Sequence, residues 1–66
     1  MEAAFTQIRI LRPEEVAEIL RLSKPRIYQL AEEGKIASIR IGKSIRFQWD
    51  DVQVFIRAHR REMRET

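Results

Sequence analysis

The apolar residues of this chain change their period at Gly34, and that change confines the fold to a mixed class. Before it, Val16, Ala17, Ile19 and Leu20, and then Ile27, Leu30 and Ala31, recur at the three-to-four spacing of one helix face. After it, Ala37, Ile39 and Ile41, and then Ile45, Phe47 and Trp49, alternate with polar residues as strands do. Two helices and a hairpin must therefore share one small core. With 66 residues the chain can bury a single core of marginal size. The expected class is α+β, mainly α, in one domain over 1–66: a core of about 11–56, an N-terminal arm 1–10 and a basic C-terminal helix extension 57–66. Hydrophobic residues at 44% and charged residues at 35% suit such a core and speak against disorder.

Punctuation sets the element bounds. Pro13 fits the first turn of a helix, and Glu14 and Glu15 favour its positive end, so the first helix is expected over Pro13–Leu20, with Arg12 a poor cap. Ser23 caps a second helix with Pro25 in its first turn, spanning roughly residues 24–33, and Gly34 supplies its left-handed end. In the hairpin, the two apolar sets are expected to share one face. That parity places Ile41 opposite Ile45, Ile39 opposite Phe47 and Arg40 opposite Arg46, around a three-residue loop of Gly42, Lys43 and Ser44. Gly42 comes first in this loop rather than last, which leaves the turn type open. Asp50 is expected to cap a third helix, with Asp51 in its first turn and Val52, Phe55 and Ile56 on its inner stripe, running to about residue 63. Ile8 and Ile10, alternating with Gln7 and Arg9, suit a short strand on the hairpin edge.

Charge is distributed more tellingly than its sum of +3 and a pI near 10.0 suggest. Glu14, Glu15 and Glu18 load the first helix, whereas residues 21–29 carry Arg21, Lys24 and Arg26 with no acid. Residues 35–49 carry Lys35, Arg40, Lys43 and Arg46, again without an acid, before Asp50 and Asp51. The chain has no Cys, which removes disulfides, thiolate metal sites and thiol nucleophiles and favours a reducing compartment. No apolar run reaches the roughly 20 residues of a membrane span, and Met1-Glu2-Ala3-Ala4 lacks the start of a signal peptide. The expected location is the cytoplasm, with the nucleoid.

A tight helix pair whose second member is basic in its first half meets the requirement for reading a major groove. Ser23, Lys24, Arg26, Tyr28 and Gln29 are the candidate recognition residues. Lys and Arg donate to guanine O6 and N7, Gln pairs bidentately with adenine, and a Tyr hydroxyl reaches phosphate. The bland alternative is a solvated helix face. In the hairpin, Arg40 opposite Arg46 is a like-charge pair that destabilises a sheet unless a phosphate repays it. Arg40, Gly42, Lys43, Ser44 and Arg46 are thus the candidate wing contacts, against the alternative that both arginines merely extend into water. Arg57, Arg60, Arg61 and Arg64 form one basic stripe if the third helix continues. Such a stripe serves the helix dipole as readily as DNA backbone or a protein partner. His59 is the only His and reads as surface; the acid pairs lie near helix ends. No catalytic, metal or cofactor site is expected, hence no enzyme, and no small-molecule or membrane partner.

The segments Pro13-Glu14-Glu15-Val16-Ala17-Glu18-Ile19-Leu20, Leu22-Ser23-Lys24-Pro25-Arg26-Ile27-Tyr28-Gln29-Leu30, Glu33-Gly34-Lys35-Ile36, Ile39-Arg40-Ile41-Gly42-Lys43 and Ile45-Arg46-Phe47 resemble, in this order, the excisionase-like members of the MerR-related winged helix-turn-helix family. The resemblance implies three helices and a hairpin wing, with residues 24–29 reading the major groove and 40–46 touching the adjacent backbone or minor groove. Arg12 stands where the family has Ser or Thr as a cap, and Pro25 at a position often polar. The implied function is sequence-specific binding of double-stranded DNA, as an excisionase or a small transcription regulator. Further copies on tandem sites and an integrase or another protein are the expected partners. The rival reading is a protein-interaction adaptor whose basic wing and tail meet an acidic partner.

Overall fold

The computed structural model describes residues 8–63. Gln7 and the earlier part of the N-terminal arm, and Arg64 in the tail, lie outside the described residues. The element order is β1 (Ile10–Leu11), α1 (Pro13–Leu20), α2 (Lys24–Glu32), β2 (Ile39–Ile41), β3 (Ser44–Gln48) and α3 (Trp49–Ala58). The three strands form an antiparallel sheet in the order β1-β3-β2. This is the α+β class that the change of period predicts, in the winged arrangement that the resemblance implies.

The core lies between α1, α2, α3 and the sheet. Phe47, Ile27, Val16 and Val52 are its fully buried side chains, joined by Leu11, Leu30, Ile36 and Ile45, with Leu20, Ala31, Trp49 and Phe55 packed around them. On the helices, two predicted inner residues sit outside it: Ile19 and Ile56 are both exposed. On helices of about two or three turns, the stripe that reaches so small a core is narrower than the run of apolar residues.

The helix ends follow local chemistry. Arg12 has no side-chain acceptor, and α1 is opened instead by Glu15, whose carboxylate accepts the Arg12 backbone N–H at 2.7 Å. α2 ends as predicted at Gly34, with φ of 72°: the Lys35 N–H donates to the Leu30 carbonyl at 2.9 Å and the Gly34 N–H to Ala31 at 3.1 Å. That turn sends Ile36 into the core. α3 begins without Asp50 as its cap. β3 runs directly into it at Gln48, the Trp49 N–H donates to the Arg9 carbonyl at 2.9 Å, and Asp50 and Asp51 both fall in the first turn. The Arg9 carbonyl, just ahead of β1, thus satisfies the first of the backbone donors left free at the start of α3. Arg9 also holds its guanidinium 5.8 Å from the Trp49 ring, within cation–π range. The predicted strand at the sheet edge is present, paired with β3 at Ile10↔Gln48 and Leu11↔Phe47, but Leu11 rather than the alternating Ile8 and Ile10 faces the core.

The hairpin register differs from the one that parity requires. Ile41 pairs with Ser44, Arg40 with Ile45 and Ile39 with Arg46, so the loop has two residues, Gly42 and Lys43, and Arg40 is not opposite Arg46. Gly42 has φ of 60°, and no positive φ falls on Lys43. A positive φ at the first central residue alone is the pattern of a two-residue II′ turn, whose twist suits a hairpin. The turn therefore sets β2, whereas burial of Ile45 and Phe47 sets β3. The two apolar sets face opposite ways: Ile41 is 63% exposed on the outer face, beyond Ile39. A three-residue edge strand gains too little burial to overrule its turn.

α3 also stops before its predicted end, at Ala58 rather than near residue 63. His59 closes it: its Nδ1 lies 2.9 Å from the Phe55 carbonyl oxygen, and its ring stacks on that of Phe55 with centroids 4.1 Å apart. Beyond Ile56 the residues Arg57, Arg60 and Arg61 would crowd like charges onto one face with no core to reach. The predicted continuous basic stripe is consequently absent among the described residues. Arg57 lies in the last turn of α3, and Arg60 and Arg61 lie past its end.

Candidate nucleic-acid interface

α1 and α2 meet through a connection of three residues, Arg21, Leu22 and Ser23. Arg21 takes the left-handed conformation, φ 60° and ψ 41°, with its N–H donating to the Glu18 carbonyl at 3.3 Å and the Leu22 N–H to Ala17 at 3.0 Å. Ser23 then caps α2, its Oγ accepting the Arg26 N–H at 3.3 Å. Ser23, predicted as a recognition residue, is thereby engaged in ordering the helix start. The two closures fix the angle between the helices, and Ile27 and Leu30 anchor α2 in the core.

Lys24, Arg26, Tyr28 and Gln29 are all exposed on α2, as predicted. The structure adds that they are not independent. The Arg26 guanidinium donates to Gln29 Oε1 at 2.8 Å, and Gln29 Nε2 donates to Glu33 Oε2 at 3.2 Å. Lys35 Nζ lies 3.6 Å from the other Glu33 oxygen. This ladder runs along an exposed helix face, where each link is worth only a few tenths of a kcal/mol. Its effect is to reduce the number of orientations that Arg26 and Gln29 adopt. Glu33 was not a predicted site residue, although its i, i+4 spacing from Gln29 is legible in the sequence.

The corrected register separates the two wing arginines. Arg40 shares the inner side of the hairpin with Ile45, so it faces α2 across a concavity of about 280 Å³ lined by Tyr28, Ala31, Glu32, Ser38, Arg40, Lys43 and Ile45. Arg46 is on the outer side, half-buried, with its guanidinium donating to the Ile45 carbonyl at 2.8 Å. Gly42 and Lys43 form the tip and Ser44 begins β3; all three are exposed. The structure thus joins Tyr28, Arg40 and Lys43 in one groove and leaves Arg46, Arg57, Arg60 and Arg61 outside its lining. Ser38 and Glu32 also line it, neither of them expected from the sequence.

The electrostatics of the three helix starts differ. α1 carries Glu14 and Glu15 in its first turn and α3 carries Asp50 and Asp51, the arrangement the helix dipole favours. α2 carries no acid there and instead places Lys24 and Arg26 at its positive end. A second depression of about 290 Å³, between β1 and α1, has Glu15 and Glu18 on its lining together with Arg9, Leu11 and Ile19. Among the described residues no group of three His, Asp or Glu side chains is disposed to hold a metal ion, and no helix is long and apolar enough to cross a membrane.

A family model described as a helix-turn-helix domain matches residues 10–60, more than half of the chain. Neither a curated protein nor a solved structure gives a significant match.

Proposed function

The chain belongs to the helix-turn-helix domain family, of the excisionase-like kind, and is a DNA-binding domain; from that premise we propose that it reads double-stranded DNA sequence-specifically, with α2 in the major groove. The observation that carries this reading is the start of α2. Two cations at the positive end of a helix are unfavourable in the free protein, and a polyanion at that end reverses the sign. The other two helices, by contrast, carry acids in their first turns.

On this reading Lys24 and Arg26 donate to guanine O6 and N7, and Gln29 pairs with adenine N6 and N7. The 2.8 Å bond between Arg26 and Gln29 supports their acting as one unit on neighbouring bases. The groove between α2 and the wing takes a phosphodiester strand, with the Tyr28 hydroxyl, Arg40 and Lys43 as donors and Gly42 and Ser44 at its rim. Arg46 orders the wing from its outer side instead of gripping phosphate beside Arg40.

A module of this size buries only about 600–1,000 Å² of protein surface on DNA, which favours cooperative binding of several copies to tandem sites. The role that fits is non-enzymatic: an excisionase or a small transcription regulator of the MerR-related winged type, acting in the cytoplasm on the nucleoid. Arg57, Arg60, Arg61 and Arg64 are the contacts for an integrase, a neighbouring copy or flanking backbone.

The test is fluorescence anisotropy on a duplex selected from a random pool and on its scrambled form, over a salt series, with wild type and Arg26→Ala. The expected result is preference for the selected duplex, narrowed by Arg26→Ala by ~1–3 kcal/mol, with affinity falling as salt rises. Equal binding of both duplexes by wild type overturns sequence readout. Such an outcome moves the search to an acidic protein partner of the wing and tail.

A further inference from the structure

We propose that Arg21, in the turn ahead of α2, is an additional binding residue for a DNA phosphate. The proposal rests on the DNA-binding reading above and extends it to a residue that neither charge spacing nor the wing geometry assigns.

Among the described residues Arg21 is the only residue other than glycine with positive φ. For a residue with a Cβ that conformation is disfavoured roughly five- to thirtyfold. The chain closes α2 with the same pair of hydrogen bonds and uses Gly34 at the matching position. The motif itself therefore has no need of a side chain. A non-glycine residue persisting in this region is a pointer to function when something else offsets the strain.

Among the described residues no side-chain partner supplies that offset. The Arg21 side chain is exposed and takes part in no hydrogen bond or ion pair among the described residues. Its charge does lie at the negative end of α1, where a cation gains roughly two- to fivefold at an exposed site. That gain falls short of most of the range of the strain. On the side of α1 the nearest acid is Glu18, three residues ahead and not in ion-pair contact with Arg21, whereas from Arg21 to Gln29 the chain holds three cations and no acid, a local excess that favours an external anion at this turn.

Position supplies the ligand. Arg21 is two residues ahead of the Ser23 cap, at the same end of α2 as Lys24 and Arg26. When that end enters a major groove, the preceding turn comes beside the sugar-phosphate backbone that borders the groove. A guanidinium there presents a planar fork suited to two phosphate oxygens. The contact carries no sequence information; it fixes how far α2 enters and at which register.

The experiment compares wild type, Arg21→Gly, Arg21→Lys and Lys24→Ala on the selected and scrambled duplexes across a salt series, with urea unfolding of each protein. Arg21→Gly is expected to unfold at the same or higher urea concentration, yet to bind both duplexes about tenfold more weakly, with the log–log salt slope shallower by about 0.9. Arg21→Lys is expected to keep the wild-type slope while losing part of the affinity. If Arg21→Gly binds as wild type does, or binds more weakly with an unchanged slope because the turn has loosened, the proposal is overturned while the DNA reading stands on Lys24→Ala. If wild type binds neither duplex, both fall together.

Discussion

Arg21 and Gly34 occupy the same position of the same helix-ending motif, with φ of 60° and 72°. In each case the chain leaves a helix through one left-handed residue and throws the next apolar side chain, Leu22 or Ile36, in a new direction. Only Gly34 does so without a Cβ penalty. A Cβ built at Gly34 meets nothing within 4 Å, so a substitution there tests backbone conformation and little else. Gly34→Ala should lower stability by ~1 kcal/mol, read as a lower urea midpoint with unchanged slope. A neutral result would mean that the end of α2 relaxes out of the left-handed region.

Phe47 is fully buried on the central strand, where it lies opposite Leu11 and binds β1 to the core. Replacing a buried Phe by Ala removes ~3–5 kcal/mol. A domain of this length holds roughly 3–10 kcal/mol in all. Phe47→Ala should therefore be largely unfolded at 37 °C, by loss of far-ultraviolet circular dichroism and of a cooperative thermal transition. A variant that still melts cooperatively near the wild-type temperature would contradict the central place given to this residue.

The hairpin shows where sequence reasoning stops. The bounds of α1 and α2 were legible because Pro13, the Ser23 cap and Gly34 act through local bonds that span a few residues. The face of β3 was legible because Ile45 and Phe47 must be buried. The face of β2 was not, since its register depends on whether Gly42 starts a two-residue or a three-residue loop, and each choice sends Ile39 and Ile41 to a different side. The apolar character of Ile41 argued for burial, yet it stays exposed on a strand too short to matter to the core. The site inherits that ambiguity. Lys24, Arg26, Tyr28 and Gln29 were readable from helical spacing, whereas the union of Tyr28, Arg40 and Lys43 in one groove follows only from the observed register. The third helix was overextended because charge spacing alone, without apolar residues beneath it, does not hold a helix together.

That register makes the two wing arginines unequal, and their substitutions should differ. Arg40 faces α2 and carries no internal bond among the described residues, whereas Arg46 is half-buried and donates to the Ile45 carbonyl. Arg40→Ala should leave the thermal midpoint within a few degrees of wild type, weaken DNA binding about tenfold and flatten the salt slope by about 0.9. Arg46→Ala should lower the midpoint by more than Arg40→Ala does and leave the slope nearly unchanged. Equal effects on the slope would restore the two arginines to a shared phosphate and count against the present geometry.

Arg12 opens α1 without a side-chain acceptor, although Glu15 already contributes the returning half of a capping box at 2.7 Å. Only the forward bond is missing, in which the Glu15 N–H, at present donating to the Arg12 carbonyl at 3.0 Å, donates to a side-chain oxygen at position 12. Position 12 has the extended backbone that a capping serine adopts, φ −85° and ψ 160°, so no rearrangement is required. Arg12→Ser should therefore stabilise the domain by ~1 kcal/mol, which for this length raises the thermal midpoint by about 4–8 °C. In the Arg12→Ser background, Glu15→Ala should then cost more than it does in wild type, because the two halves of the box support one another. A double-mutant cycle in thermal unfolding measures that coupling. If Arg12→Ser leaves the midpoint unchanged and the cycle shows no coupling, the start of α1 is held by Pro13 and the core instead of by its cap.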